Sequence, residues 1–316
     1  MAKQALKKAI TEDQNGACAL TGTKLPEETF MYDTDRKKPK AKGGIYVVPN
    51  TRCVDPVAHM KRHGTHRERD EIMDDIKSIM DDRRQVMKLG NGVNNQIMAY
   101  SRGTDTLRPD TLEWLNEQKK IYAKEMSKRD RLVTKTIIEL SKVDPFTKAA
   151  LGVRSIGPVT IAFCLTYIDL TKARHASSLW AYVGLDKPSH ERYTKGVAGG
   201  GNKTLRTALY TMAESQMKGN GAYREVYDQV KTRLSISEKI VKSRNTEGKL
   251  IECMWKNTKP CHRHGAALRA VCKHFLADYW FVGRTLAGLE TSALYPEAIL
   301  GGSHRTIMPE ERGWVY

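Results

Sequence analysis

The chain has 316 residues, with 53 Lys and Arg against 36 Asp and Glu, giving a net charge of +17 and a pI near 9.5. Hydrophobic residues make up 40%, which excludes a mainly disordered chain, and the length suits about two domains. The longest uncharged run, residues 155–168, is interrupted by Gly157 and Pro158 and falls short of the roughly 20 apolar residues of a membrane span.

The opening residues are charged throughout, so no signal peptide is expected and the chain reads as cytoplasmic and nucleoid-associated, without a membrane partner. Six cysteines are too sparse and uneven for a disulfide framework. The positive charge is localised. Residues 36–62 carry eight Lys and Arg against the single acid Asp55, and residues 231–275 carry eleven against three Glu. Such clusters point to a polyanion, with DNA the expected partner.

In chain order, residues 14–66 are rich in turn signals around a short β-like run at residues 45–48 that follows Gly43 and Gly44. From Arg67 the pattern becomes helical. Ile72, Ile79 and Val86 recur every seven residues, as do Met73, Met80 and Met87, and a break is expected at Leu89, Gly90, Asn91 and Gly92. Asp110 and Glu113, just after Pro109, have the spacing of a capping box that opens a second long helix, with a stripe through Tyr122, Met126, Val133, Ile137 and Leu140. Two antiparallel helices, 67–89 and 111–142, are expected, their stripes serving as intramolecular core or as a coil between copies. Asp144 and Pro145 supply an N-cap and a first-turn proline for a further helix. The remainder reads as short helices joined by Gly-rich turns.

Residues 151–165, LGVRSIGPVTIAFCL, fit a helix-hairpin-helix with its tight turn at Ser155, Ile156 and Gly157 and its second helix starting at Pro158. Backbone amides at such a turn, with Thr160 just inside the helix, bind a DNA phosphate without reading its base. Cys253, Cys261, His262, His264, Cys272 and His274 lie close in sequence, but their spacing lacks the paired ligands two to four residues apart that zinc uses, so zinc is not expected.

The hairpin, then residues 174–185 (RHASSLWAYVGL), Pro188, and residues 196–209 (GVAGGGNKTLRTAL), together resemble the C-terminal domain of the Piv-type insertion-sequence transposases, or bridge recombinases. Residues 264–280 resemble that family's closing basic helix, and the likeness covers about 130 residues. It implies DNA binding by Ser155, Ile156, Gly157, Thr160, Gly201, Asn202, Lys203, Arg206, Arg263 and Arg269 and a structured RNA as a further partner, while a homo-oligomer is expected from the stripes of the two long helices. The family's nucleophilic serine lies in the loop between the last two motifs, where this chain offers Ser189 and Thr194 as candidates. Neither stands in the family's Ser-Gly setting, and no RuvC-like acidic tetrad is visible before residue 67. Strand exchange by the family's chemistry is therefore in question.

Residues 18–64 resemble an HNH (ββα-metal) module through Asp35, Pro39, Lys42, Gly43, Gly44, Asn50, His59 and Gly64. This likeness implies Mg²⁺ at Asp35 and His59. Arg36 stands where the general-base histidine belongs, and a guanidinium that stays protonated accepts no proton near neutral pH. Arg36, Lys37 and Lys38 are then phosphate contacts.

The expected fold is mainly α: a small N-terminal ββα module at 1–66, a long helical connector at 67–148 and a helix-hairpin-helix domain at 149–316. The first functional expectation is a transposase or site-specific recombinase relative acting in DNA transposition or recombination. A non-catalytic DNA-binding protein derived from one and a metal-dependent HNH-type nuclease are the alternatives.

Overall fold

The computed structural model describes residues 2–25, 33–36, 51–54, 67–103, 108–186, 200–244, 248–291 and 307–316. It is mainly helical, with nine α-helices and two small antiparallel sheets among these residues. The chain divides into two compact units, residues 1–72 and 73–316.

In the first unit, helix α1 (Ala2–Asp13) packs against strand β2 (Thr51–Val54), which pairs antiparallel with β1 (Asp33–Arg36). Gln14 ties helix to sheet: its amide donates to the carbonyls of Ala17 and Cys53 at 2.8 and 2.9 Å and accepts from the Cys53 amide at 2.6 Å. Cys18 and Cys53 are buried in one apolar cluster with Ile10, Leu25 and Val54, so they act there as small hydrophobes. The run at residues 45–48 lies outside the described residues.

The second unit begins at Met73, just past the first turn of helix α2 (Arg69–Ser101), which is followed by an antiparallel partner, α3 (Pro109–Leu140). Arg83 meets Asp130 at 2.7 Å, Arg129 meets Asp82 at 2.8 Å, and Gly90 lies against Tyr122. These pairs fix the register of two helices running in opposite directions. The expected break at residues 89–92 is absent. A Cβ on Gly90 would lie 3.3 Å from Tyr122 Cβ, so the glycine lets the helices approach, and the helix tolerates it at about 1 kcal/mol.

Of the two heptad series, the inward face takes Ile72 and Val86 from one and Met80 from the other, with Ile76 completing an i, i+4 row through Ile72 and Met80. One further expectation is corrected here. The capping box at Asp110 is not formed: Arg108 is the N-cap and Pro109 opens α3, its fixed φ already suited to the first helical position. The Asp110 carboxylate instead accepts from the Thr111 amide.

The Asp144 cap holds. Its carboxylate accepts from the Thr147 amide at 2.8 Å and the Thr147 hydroxyl at 2.5 Å, starting α4 (Pro145–Gly152). Then come α5 (Pro158–Tyr167), α6 (Ala176–Val183), α7 (Lys203–Lys218), α8 (Arg224–Ile236), strands β3 (Ile240–Arg244) and β4 (Leu250–Met254), and α9 (Pro260–Leu286). The β3–β4 ribbon departs from the all-helical expectation for this region. Its alternation of Val241 and Ser243 inward with Ile240 and Lys242 outward has the period of a strand.

Helix α9 is the axis of this unit, packing against α4, α6, α7 and α8. Its Asp278 is buried and accepts from Arg312 at 3.0 Å through both carboxylate oxygens and from the Tyr223 hydroxyl at 2.7 Å. The Trp314 indole donates to that same hydroxyl at 2.9 Å and packs between Phe146 and Phe275. Residues 307–316 thereby fasten α4, α9 and the start of α8 together.

Burial raises the Asp278 carboxyl to about 6, against the opposing pull of Arg312 and Tyr223. A carboxyl raised in the fold binds protons that the unfolded chain has already released, so this group's contribution falls as pH rises from about 4 to 6. Replacing Arg312 by Met leaves a buried carboxylate without its cation and should cost about 3–5 kcal/mol at pH 7. Protonation then relieves the carboxylate, so the deficit should shrink at pH 5, as denaturant titrations at the two pH values will show.

Candidate nucleic-acid interface

The hairpin between α4 and α5 occupies residues 153–157. Val153 and Ile156 are buried beneath it, and Gly157 is exposed as the N-cap of α5. The left-handed residue is Ser155, at φ +64°, while Gly157 has an ordinary φ of −87° and a Cβ there would meet nothing within 4 Å. The turn therefore needs its conformational freedom at position 155. Gly157 instead presents bare backbone outward. Among the described residues no acceptor is bonded to the amides of Gly157 and Val159. The Thr160 amide donates to the Gly157 carbonyl, and Arg154 is exposed beside the turn.

A second hairpin faces the first. Residues 219–223 join α7 to α8, again in five residues, with Asn220 at φ +46°. The Arg154 carbonyl accepts from the Gln216 side-chain amide at 3.1 Å and from the Ala222 amide. A Cβ on Gly219 would lie 2.9 Å from Ser155 Oγ, and one on Gly221 would lie 2.8 Å from Ser155 Cβ. Only glycines allow the two turns to lie this close. Sequence reasoning missed this pairing, although Gly219-Asn220-Gly221 was a visible signal of a tight turn.

Gly201, Asn202, Leu205 and Arg206 come together at the start of α7. Gly184 ends α6 at φ +76°, and Gly201, at φ +67°, lies so near that a Cβ on it would be 2.5 Å from the Gly184 nitrogen and 2.6 Å from the Tyr182 carbonyl oxygen. Asn202 caps α7 through the Leu205 amide at 2.9 Å. Arg206 is buried, and its guanidinium donates to the carbonyls of Val183 and Gly200. Gly201 and Arg206 thus build the loop, and Arg206 offers almost no surface to a ligand. Lys203, one turn earlier, is exposed.

On α9, Arg263 is half-buried and donates to the carbonyls of Lys256 and Thr258 at 3.0 and 2.6 Å, which holds the end of the ribbon. Arg269 is half-buried. The cysteines and histidines of this region diverge: His262 Nδ1 pairs with Ser243 Oγ at 2.8 Å, His264 Nδ1 with the Tyr227 hydroxyl at 2.7 Å, and Cys272 is buried. Among the described residues no three His, Cys, Asp or Glu side chains converge to hold a metal.

Asp35 and Arg36 lie in β1 opposite Arg52 and Thr51, and nothing of their side chains is described. Lys37, Lys38, His59, Ser189 and Thr194 lie outside the described residues. No helix among the described residues is long and apolar enough to cross a membrane. No protein-family model matches the chain, and no curated protein matches it.

Gly201→Ala tests the close approach directly. The new methyl would press on backbone atoms that cannot swing aside, at a φ that favours glycine, so the cost should be about 2–4 kcal/mol. Gly157→Ala, in open space, should cost under about 1 kcal/mol. Thermal melts of the two variants side by side will separate a glycine required by packing from one left bare at the surface.

Proposed function

We propose that the chain is a DNA-binding protein of transposase or site-specific recombinase type, acting in transposition or recombination, whose hairpin at residues 153–157 grips the phosphate backbone. The observation that carries this reading is the exposed α5 N-terminus. Gly157 leaves backbone amides accessible at the positive end of a helix, Arg154 stands beside them, and the net charge of +17 favours a polyanion. The order of the motifs in residues 151–280 supports the transposase side of the reading. A structured RNA is the further partner that this resemblance implies, and a second copy of the chain the one that the stripes of the long helices suggest, in a cytoplasmic, nucleoid-associated setting.

Phosphate contacts position a duplex without reading its sequence. The chain should therefore bind unrelated duplexes with similar affinity and a steep dependence on salt. Catalysis would rest on Ser189 or Thr194, and the nuclease alternative on Mg²⁺ at Asp35 and His59. No observation among the described residues favours that alternative.

Gly157→Asp separates folding from binding. Asp is a favourable N-cap residue, and the site has room for it, so thermal stability should stay within about 1 kcal/mol of the parent. A carboxylate at the phosphate position should weaken binding of every duplex by about tenfold, read by fluorescence anisotropy. Unchanged binding by the folded variant would remove the hairpin from the interface.

A further inference from the structure

The β3–β4 ribbon has one anchored face and one open face. Its register pairs Ile240 with Met254, Lys242 with Glu252 and Arg244 with Leu250 on one side, and Val241 with Cys253 and Ser243 with Ile251 on the other. On the second side Ser243 is buried and bonded to His262 of α9 and Val241 and Cys253 are half-buried, while Ile251, opposite Ser243, is 42% exposed, so this side is anchored through Ser243, Val241 and Cys253. The base is fastened as well. The Trp255 amide donates to the Lys239 carbonyl, the Lys256 amide to the Ser237 carbonyl, Lys256 pairs with Glu238 at 2.6 Å, and Arg263 gathers the carbonyls that follow β4.

The first side is open, with apolar and charged positions alternating. Ile240 is 64% exposed, Leu250 47% and Met254 37%, with Lys242 and Glu252 exposed between them. Ile236, just before the ribbon, is 72% exposed. Isolated exposed apolar residues need no explanation, but a rigidly held ribbon with several on one face marks an interaction surface. The surrounding charge selects the partner: residues 231–259 carry eight Lys and Arg against three Glu, and Glu238 is already paired with Lys256. An acidic partner is favoured, and a two-stranded ribbon has the cross-section that the major groove of B-DNA admits.

We infer that the β3–β4 ribbon enters the major groove of duplex DNA, its flanking lysines on the phosphates and Ile240, Met254 and Leu250 against the base edges. The inference rests on the DNA-binding reading above and adds a second, groove-contacting element to the backbone contact at Gly157. Apolar side chains in the groove discriminate through the thymine methyl group, so the ribbon would supply the sequence preference that the hairpin lacks.

The test uses the full chain and a fluorescein-labelled, mixed-sequence duplex of about three helical turns, titrated by anisotropy across a KCl series. Lys239→Ala/Lys242→Ala should lower the slope of log affinity against log salt by about 2, near 0.9 for each phosphate that is no longer neutralised. Ile240→Ser/Met254→Ser should weaken binding by roughly tenfold with the slope unchanged. All four positions are exposed or terminal to the ribbon, and circular dichroism will confirm that both variants fold.

If both variants bind as the parent does while Gly157→Asp is weakened, the ribbon inference fails and the DNA-binding reading stands. If the parent itself does not bind the duplex at low salt, the reading fails and the inference goes with it. Should Ile240→Ser/Met254→Ser leave DNA binding intact but turn a dimer into a monomer by light scattering, the face is a contact between copies and the groove inference is overturned.

Discussion

Asp278 imposes the constraint on which the second unit depends. A carboxylate taken out of water on the central helix must find hydrogen bonds and a countercharge, and those partners come from Tyr223 and Arg312. Meeting this demand brings residues 307–316 back across α9, and Trp314 then fills the space between Phe146 and Phe275. The polar requirement thus selects which segments meet, and the aromatic packing follows it.

The same logic of backbone supply and demand extends outward from α9. Arg284 donates to the carbonyls of Leu170, Ala173 and Glu290, and the Trp280 indole donates to Ala173 as well, so the loop after α5 is held by groups of the central helix. Arg206 does the equivalent for the close contact of Gly184 with Gly201. Several arginines in this basic protein are therefore spent on carbonyl groups inside the fold. Exposed positive charge remains on lysines such as Lys203, Lys239 and Lys242 and on arginines such as Arg154, Arg174 and Arg233.

Local signals were legible in the sequence, and long-range demands were not. Asp144 followed by Pro145 announced α4 because both act within one helical turn. The hairpin at 153–157 was visible for the same reason, and its left-handed position is Ser155. Gly90 was misread as a helix end because its purpose lies in Tyr122, on another helix. Arg206 looked like a phosphate ligand because nothing nearby in sequence reveals that it is buried against carbonyls. The ribbon was hidden by its short strands, and Arg312 by the 34 residues that separate it from Asp278. The side chains of Asp35 and Arg36, and residues Ser189 and Thr194, lie beyond what the structure describes.

The distribution of the thiols gives the ribbon a chemical consequence. Cys18, Cys53, Cys164 and Cys272 are buried, and burial pushes the thiols of Cys164 and Cys272 far up, away from the reactive thiolate. Cys261 is exposed at the start of α9, and Cys253 is half-buried on β4. An oxidant or electrophile that spares the core would therefore act first beside the ribbon. Glutathionylation of exposed Cys261 would add negative charge to a segment, residues 256–263, that carries Lys256, Lys259 and Arg263, and so would reduce the positive charge at this end of the molecule.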